Sequence, residues 1–265
     1  MRLAKKLVAI FRVYVKECFA YPAASAIWVL ADTQTALVLP AVWLASAGSS
    51  GLVGGLDRDQ LITYYLCTMT LSQFVICHLM WDISWDMKEG FFSPQLLRPL
   101  GYFRMTLARN LSWRVAKLAL FLPVLPVVWL AYGGIQGSAL NFGWGFWVAV
   151  ILAHFLSLLA AFALAMVALW TTEYMSILRL YYVPELFLSG RVLPLGTLPE
   201  WARSIADSLH FSYMIAFPTN VLLGRLDDSA IGRGIAIQLA WCVAFLILGR
   251  ILFLKGVRVY SGPGM

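Results

Sequence analysis

The chain has 265 residues, 61% of them hydrophobic and 12% charged, with a formal net charge of +7. A soluble domain carries about 25% charged residues, so the composition excludes an ordinary soluble enzyme or binding module and points to an all-α, polytopic membrane protein. The positive balance is no nucleic-acid footprint, because no soluble module carries a basic face; Lys and Arg gather at 1–16, 88–117 and 250–258, while 48–60 and 132–143 hold only Arg58.

At the N-terminus, "MRLAKK" resembles the positive start of a signal peptide, but Arg12, Lys16 and Glu17 interrupt any apolar region behind it. Leu3, Leu7, Ile10, Phe11, Tyr14, Val15 and Cys18 instead recur at helical spacing, with Lys5, Lys6, Arg12 and Lys16 on the other side. That pattern predicts an amphipathic helix over 1–22 lying along the inner membrane surface.

Six spans follow, at 24–47, 61–83, 111–132 (bent near Pro123 and Pro126), 143–171, 174–195 and 233–254. Each approaches the roughly 20 residues a hydrocarbon core requires. An even count places both termini on one side, and the basic ends assign that side to the cytoplasm. The 84–104 segment is then cytoplasmic as well. The stretch 197–225 is too apolar for a free loop, and Pro199, Pro218 and Gly224 interrupt it. It is expected to form short re-entrant helices in the outer leaflet, where irregular backbone survives only under cover of protein or water. The whole of 1–265 is expected to be one membrane domain.

Polar residues within these spans are few. Asp32, Gln34, Arg179 and Glu185 are the candidates for a translocation path. Hydrogen bonds between helices or subunits, or a proton that keeps a carboxyl neutral, are the structural reading of such residues, and the modest energies of intramembrane hydrogen bonds favour it. Trp28, Trp43, Trp81, Trp85, Trp144, Trp147, Trp170 and Trp201 fall mostly near span ends, as interfacial anchors do; an aromatic substrate pocket is the other use for them. The four cysteines and three histidines are scattered, without metal-ligand spacing. No GxxxxGK[ST], GxSxG or HExxH occurs, so no catalytic or cofactor site is expected on this chain.

Between spans two and three lies "DMKEGFFSPQLLRPLGYFR", residues 86–104. Asp82, Asp86 and Glu89 share a helix face there, suited to solvent or to docking. Pro94 and Pro99 are expected to stop the helix and fix the chain's exit. Phe91 and Phe92 are suited to fill a partner's apolar groove, with Asp86, Lys88, Glu89 and Arg98 as an orienting charged rim.

This segment resembles the cytoplasmic segment of ABC-2 type permeases, whose second span runs into E-G-x-x-x-x-x-L-L-R-P-L. Glu89, Gly90, Leu96, Leu97, Arg98, Pro99 and Leu100 match in order, while Phe91, Phe92 and Pro94 stand where relatives are more aliphatic. Pro194, Leu198, Pro199, Trp201, Pro218, Leu222, Leu223, Gly224 and Arg225 match the same subfamily before its last span.

The resemblance implies a permease subunit paired with a second one, identical or paralogous, in a bacterial inner membrane. Two separate ABC ATP-binding subunits, carrying ATP and Mg, would dock beneath, and the cargo would be an exported amphiphile, lipid, glycan or drug. It also makes the 84–104 segment the ATPase-coupling element. Two other classes stand beside it. A stand-alone channel or carrier would want paired discontinuous spans or an internal repeat, and neither is visible; a membrane-embedded enzyme or membrane scaffold is the third, and no catalytic cluster supports it.

Overall fold

The computed structural model describes residues 2–46, 52–132, 140–171 and 174–261. Among them are twelve α-helices: α1 Arg2–Ala20, α2 Pro22–Ser46, α3 Arg58–Val75, α4 Leu79–Lys88, α5 Phe92–Leu96 and α6 Tyr102–Phe121, followed by α7 Val124–Ala131, α8 Trp144–Ala165, α9 Tyr174–Leu188, α10 Glu200–Ser208, α11 Ala216–Leu222 and α12 Asp228–Val259. Arg58–Lys88, Trp144–Leu169 and Asp228–Val259 are long and apolar enough to cross a membrane, and α6 with α7 makes a fourth candidate bent by 50°. The all-α, polytopic class expected from composition is the class observed.

α1 follows its predicted faces. Leu7, Ile10, Phe11, Tyr14, Val15 and Cys18 are half-buried, and Lys5, Lys6, Arg12 and Lys16 are exposed. The buried stripe lies along α6, where Ser112 Oγ reaches the Phe11 carbonyl at 3.1 Å. Tyr21 bends the chain, and Pro22 opens α2 at the first helical position, where a missing N–H costs nothing. The 25 residues of α2 rise about 37 Å.

The second span is not one helix. Asp57 and Gln60 form a reciprocal capping box at its start. The helix then breaks at 76–78 and resumes as α4. The break is supported from the sides. Arg114 of α6 donates from Nη1 to the Gln73 carbonyl at 2.8 Å and from Nη2 to the carbonyls of Ile76 and, at 3.4 Å, Val75. Ser157 Oγ of α8 accepts the Cys77 N–H at 2.9 Å. Side chains thus take over backbone groups that the broken ladder leaves open, the condition for irregular backbone inside a membrane.

The third span bends where expected. Pro123 caps α7, and Pro126 falls in its first turn, where proline is tolerated. Its helix begins at Tyr102, earlier than the predicted 111. The predicted fifth span, 174–195, is shorter in the structure: α9 ends at Leu188, and its 15 residues rise about 22 Å. Gly190 then takes a left-handed φ of +85° and turns the chain. Short helices α10 and α11 occupy the 197–225 stretch, and α12 exceeds the predicted sixth span at both ends.

α8 sits at the centre, packed against α3, α4, α11 and α12. Small residues let α8 and α12 approach closely: a Cβ on Gly249 would stand 3.1 Å from the Phe162 ring and 3.5 Å from Ala163 Cα. Close packing of this kind replaces the hydrophobic drive that lipid removes.

Candidate functional site

The charged stretch between spans two and three folds as a compact turn. α4 carries the helix to Lys88, and Gly90 ends it with a φ of +79°. Residues Asp86 to Phe92 are therefore not one helix. Pro94 does not stop it either, since it lies inside the five-residue α5. The chain then turns through Leu97–Gly101 into α6.

Two anchors hold this turn. Asp86 is buried and accepts hydrogen bonds from Gln95 Nε2 at 3.0 Å and Arg109 Nη1 at 2.9 Å. The same guanidinium reaches Asp82 at 3.6 Å and lies 6.0 Å from the Tyr14 ring centroid. Burial raises the Tyr14 phenol above its ordinary value, outweighing the opposite pull of Arg109. The second anchor is aromatic. Phe92 is 0% exposed and meets Tyr102 and Tyr260 edge-on, with ring centroids 4.8 and 5.1 Å away. Tyr260, just past α12, also donates its hydroxyl to the Met87 carbonyl at 3.3 Å.

The predicted docking residues accordingly divide. Phe92 and Asp86 face inward, where neither can fill a partner's groove or line its rim, and Leu96 packs partly into the core. Lys88, Glu89, Phe91, Leu97, Arg98 and Pro99 are exposed, with Phe91 at 57% and Leu97 at 88%, and Gly90 is half-exposed.

The four pathway candidates do not share one environment. Gln34 and Arg179 are exposed on α2 and α9, and the side chain of Asp32 lies outside the described ones. Glu185 is 2% exposed and pairs with Arg191 at 3.3 Å. Around this pair the chain is clasped: Tyr64 donates to the Gly190 carbonyl at 2.7 Å, and Tyr65 and Trp43 donate to the Val192 carbonyl at 2.6 and 2.9 Å. Glu185 thus belongs to a closed network joining α2, α3 and the end of α9.

Sequence reasoning missed the site beside the turn. A cavity of about 340 Å³ opens between α1, α2, α4 and α6. Trp28, Trp81, Trp113, Asp82, Arg109 and Lys117 are among its lining. Asp82 was legible as an acid on the α4 face, and Arg109 only as part of a basic cluster. Their meeting depends on how α6 crosses α4.

Long apolar helices, one of them broken inside the protein, and an anchored charged turn between α4 and α6 define a helical, polytopic membrane protein. A family model described as ABC-2 family transporter protein matches residues 30–264. The chain belongs to that family, and is the membrane permease component of an ABC transporter that associates with ABC ATP-binding subunits. No curated protein matches the chain, and no solved structure does.

Proposed function

We propose that this permease exports an amphiphilic, lipid-like, glycan or drug-like substrate by alternating access, driven by two separate ATPase subunits that bind ATP and Mg. A second permease, identical or paralogous, completes the membrane part. The chain crosses a bacterial inner membrane six times, with both termini and the 84–104 turn cytoplasmic, as the distribution of Lys and Arg favours.

One observation carries the reading. The turn presents apolar Phe91 and Leu97 outward beside Lys88, Glu89 and Arg98, while buried Asp86 and Phe92 tie it to α6 and to the end of α12. An element that transmits force between two proteins needs an exposed anchor on one side and rigid attachment on the other. A loop that merely met lipid headgroups through its positive charge would need neither. Closure of the ATPases beneath would move the turns, and through them α4, α6 and α12, shifting which side the transport path faces.

The test is Phe91→Ala combined with Leu97→Asp. Loss of ATPase co-purification and of substrate-stimulated hydrolysis, with the thermal midpoint of the permease unchanged, is the expected result. Normal values for both would remove the coupling role.

A further inference from the structure

We propose that the cavity between α1, α2, α4 and α6 binds an organic cation carried on an apolar body, such as the ammonium head of a cationic or zwitterionic amphiphile. As a binding site this stands on the geometry alone; as the cargo site it rests on the transport reading above.

The lining selects the charge. Three indoles, of Trp28, Trp81 and Trp113, and the phenols of Tyr14 and Tyr21 border the cavity. Aromatic faces attract cations, the more so when desolvated, and cages of this kind are how quaternary ammonium groups are held. Two carboxylates lie in the same wall. Asp82 is 48% exposed, and its ion pair with Arg109 is long, at 3.6 Å. Glu17 makes no ion pair among the described residues.

The bases in the wall are already committed. Arg109 gives its short contact, 2.9 Å, to Asp86 behind the cavity. Lys117 is 1% exposed and engaged within the chain. An anionic guest would compete with Asp82 and Asp86 for Arg109, whereas a cation finds Asp82 half-open and Glu17 without an ion pair among the described residues. A cationic guest gives the half-open Asp82 carboxylate a second partner beside its long contact to Arg109. The volume, about 340 Å³, lies at the low end of the ligand-pocket range of about 300–1,000 Å³. It fits a head group with part of its apolar body.

Tetraphenylphosphonium and tetraphenylborate, nearly identical in shape and opposite in charge, test the proposal. Equilibrium binding of each is measured on the purified permease in nanodiscs without ATPase subunits, with empty discs subtracted. Saturable, one-to-one binding of the phosphonium and no saturable binding of the borate is expected. Asp82→Asn should weaken the phosphonium by at least about tenfold, and Asp82→Glu should retain most of it.

Should Asp82→Asn fail to fold, Trp28→Leu, at an exposed α2 position, gives the second reading and should weaken binding severalfold. Equal or tighter binding of the borate, or phosphonium binding indifferent to these substitutions, overturns the site. Competition by a short-chain phosphatidylcholine separates the sources: displacement assigns the head to a lipid, and its absence to a free organic cation. Normal binding without any stimulation of hydrolysis in the assembled complex removes the cargo role and leaves the site standing.

Discussion

Phe91 and Phe92 are neighbours in sequence and opposites in structure, and replacing each by alanine separates docking from folding. The Phe92 ring is fully buried against Tyr102 and Tyr260. Its removal costs the transfer free energy of the ring plus the cavity left behind, about 3–5 kcal/mol for a buried Phe→Ala change. Little relaxation can soften this, because Tyr102 also stacks on Phe253 with centroids 6.1 Å apart and Tyr260 is tied to the Met87 carbonyl. At 1.4 kcal/mol per factor of ten, 3 kcal/mol is an increase of roughly 150-fold in the open population of the turn. Hydrogen exchange over residues 88–101 reads that opening directly, and a thermal midpoint in detergent reads its global share. Phe91 is 57% exposed, so Phe91→Ala should leave both measurements near wild type and reduce only ATPase association. Equal protection of the turn in the two variants would refute the placement of these rings, and with it the claim that the docking surface is held by an inner aromatic anchor.

Arg114→Leu should destabilise the permease through the broken second span, by about 1–3 kcal/mol for each buried carbonyl left without a donor; faster exchange confined to residues around 73–80 is the signature, and Arg114→Lys should rescue it only in part because an ammonium lacks the planar fork. The exposed Asp227 carboxylate at the start of α12 is held below its usual value by hydrogen bonds from Ser229 Oγ and the Ala230 N–H. Because the folded value is the lower one, its capping contribution is complete above the unfolded value near pH 4 and fades as pH falls through the folded one. Exchange in the first turn of α12 should therefore rise on acidification in wild type and be less pH-dependent in Asp227→Asn.

What could be read from the sequence was what a single periodicity or a single residue type decides. The half-buried stripe of α1 follows directly from its 3.6-residue spacing, and the bend after α6 follows from Pro123. The break in the second span left no such mark, because "FVICHLM" contains neither proline nor glycine. It is supported by tertiary partners, Arg114 of α6 and Ser157 of α8, and in the sequence Arg114 is one base among several in 104–117. Phe91 and Phe92 were indistinguishable for a related reason: adjacent residues on a tight turn point to different sides, and only the positive φ at Gly90 decides which side is in. Pro94 misled because a proline in the first turn of a new helix looks, in one dimension, like the end of an old one. Glu185 was ambiguous until Arg191 was brought round by the turn at Gly190. The cavity was out of reach altogether, since its walls come from four helices whose crossing no local pattern specifies.

The cavity and the proposed docking turn share one residue, and that would couple them. Arg109 projects from α6 between Asp82 and Asp86, one helical turn apart on α4, and holds the second much closer than the first, 2.9 against 3.6 Å. Asp86 in turn fixes Gln95 of α5. A cation entering the cavity competes for Asp82, the weaker of the two contacts. The guanidinium is then left wholly to Asp86, because its charge is no longer divided between two carboxylates. Occupancy would tighten the α4–α5 junction rather than release it, and present Phe91 and Leu97 on a firmer base. By linkage the effect must run both ways: an ATPase that steadies the turn, and so keeps Arg109 on Asp86, also frees Asp82 for the cation. A motor engaged with this surface would raise the affinity of the cavity, so that loading of cargo and readiness of the motor favour each other before any nucleotide is spent.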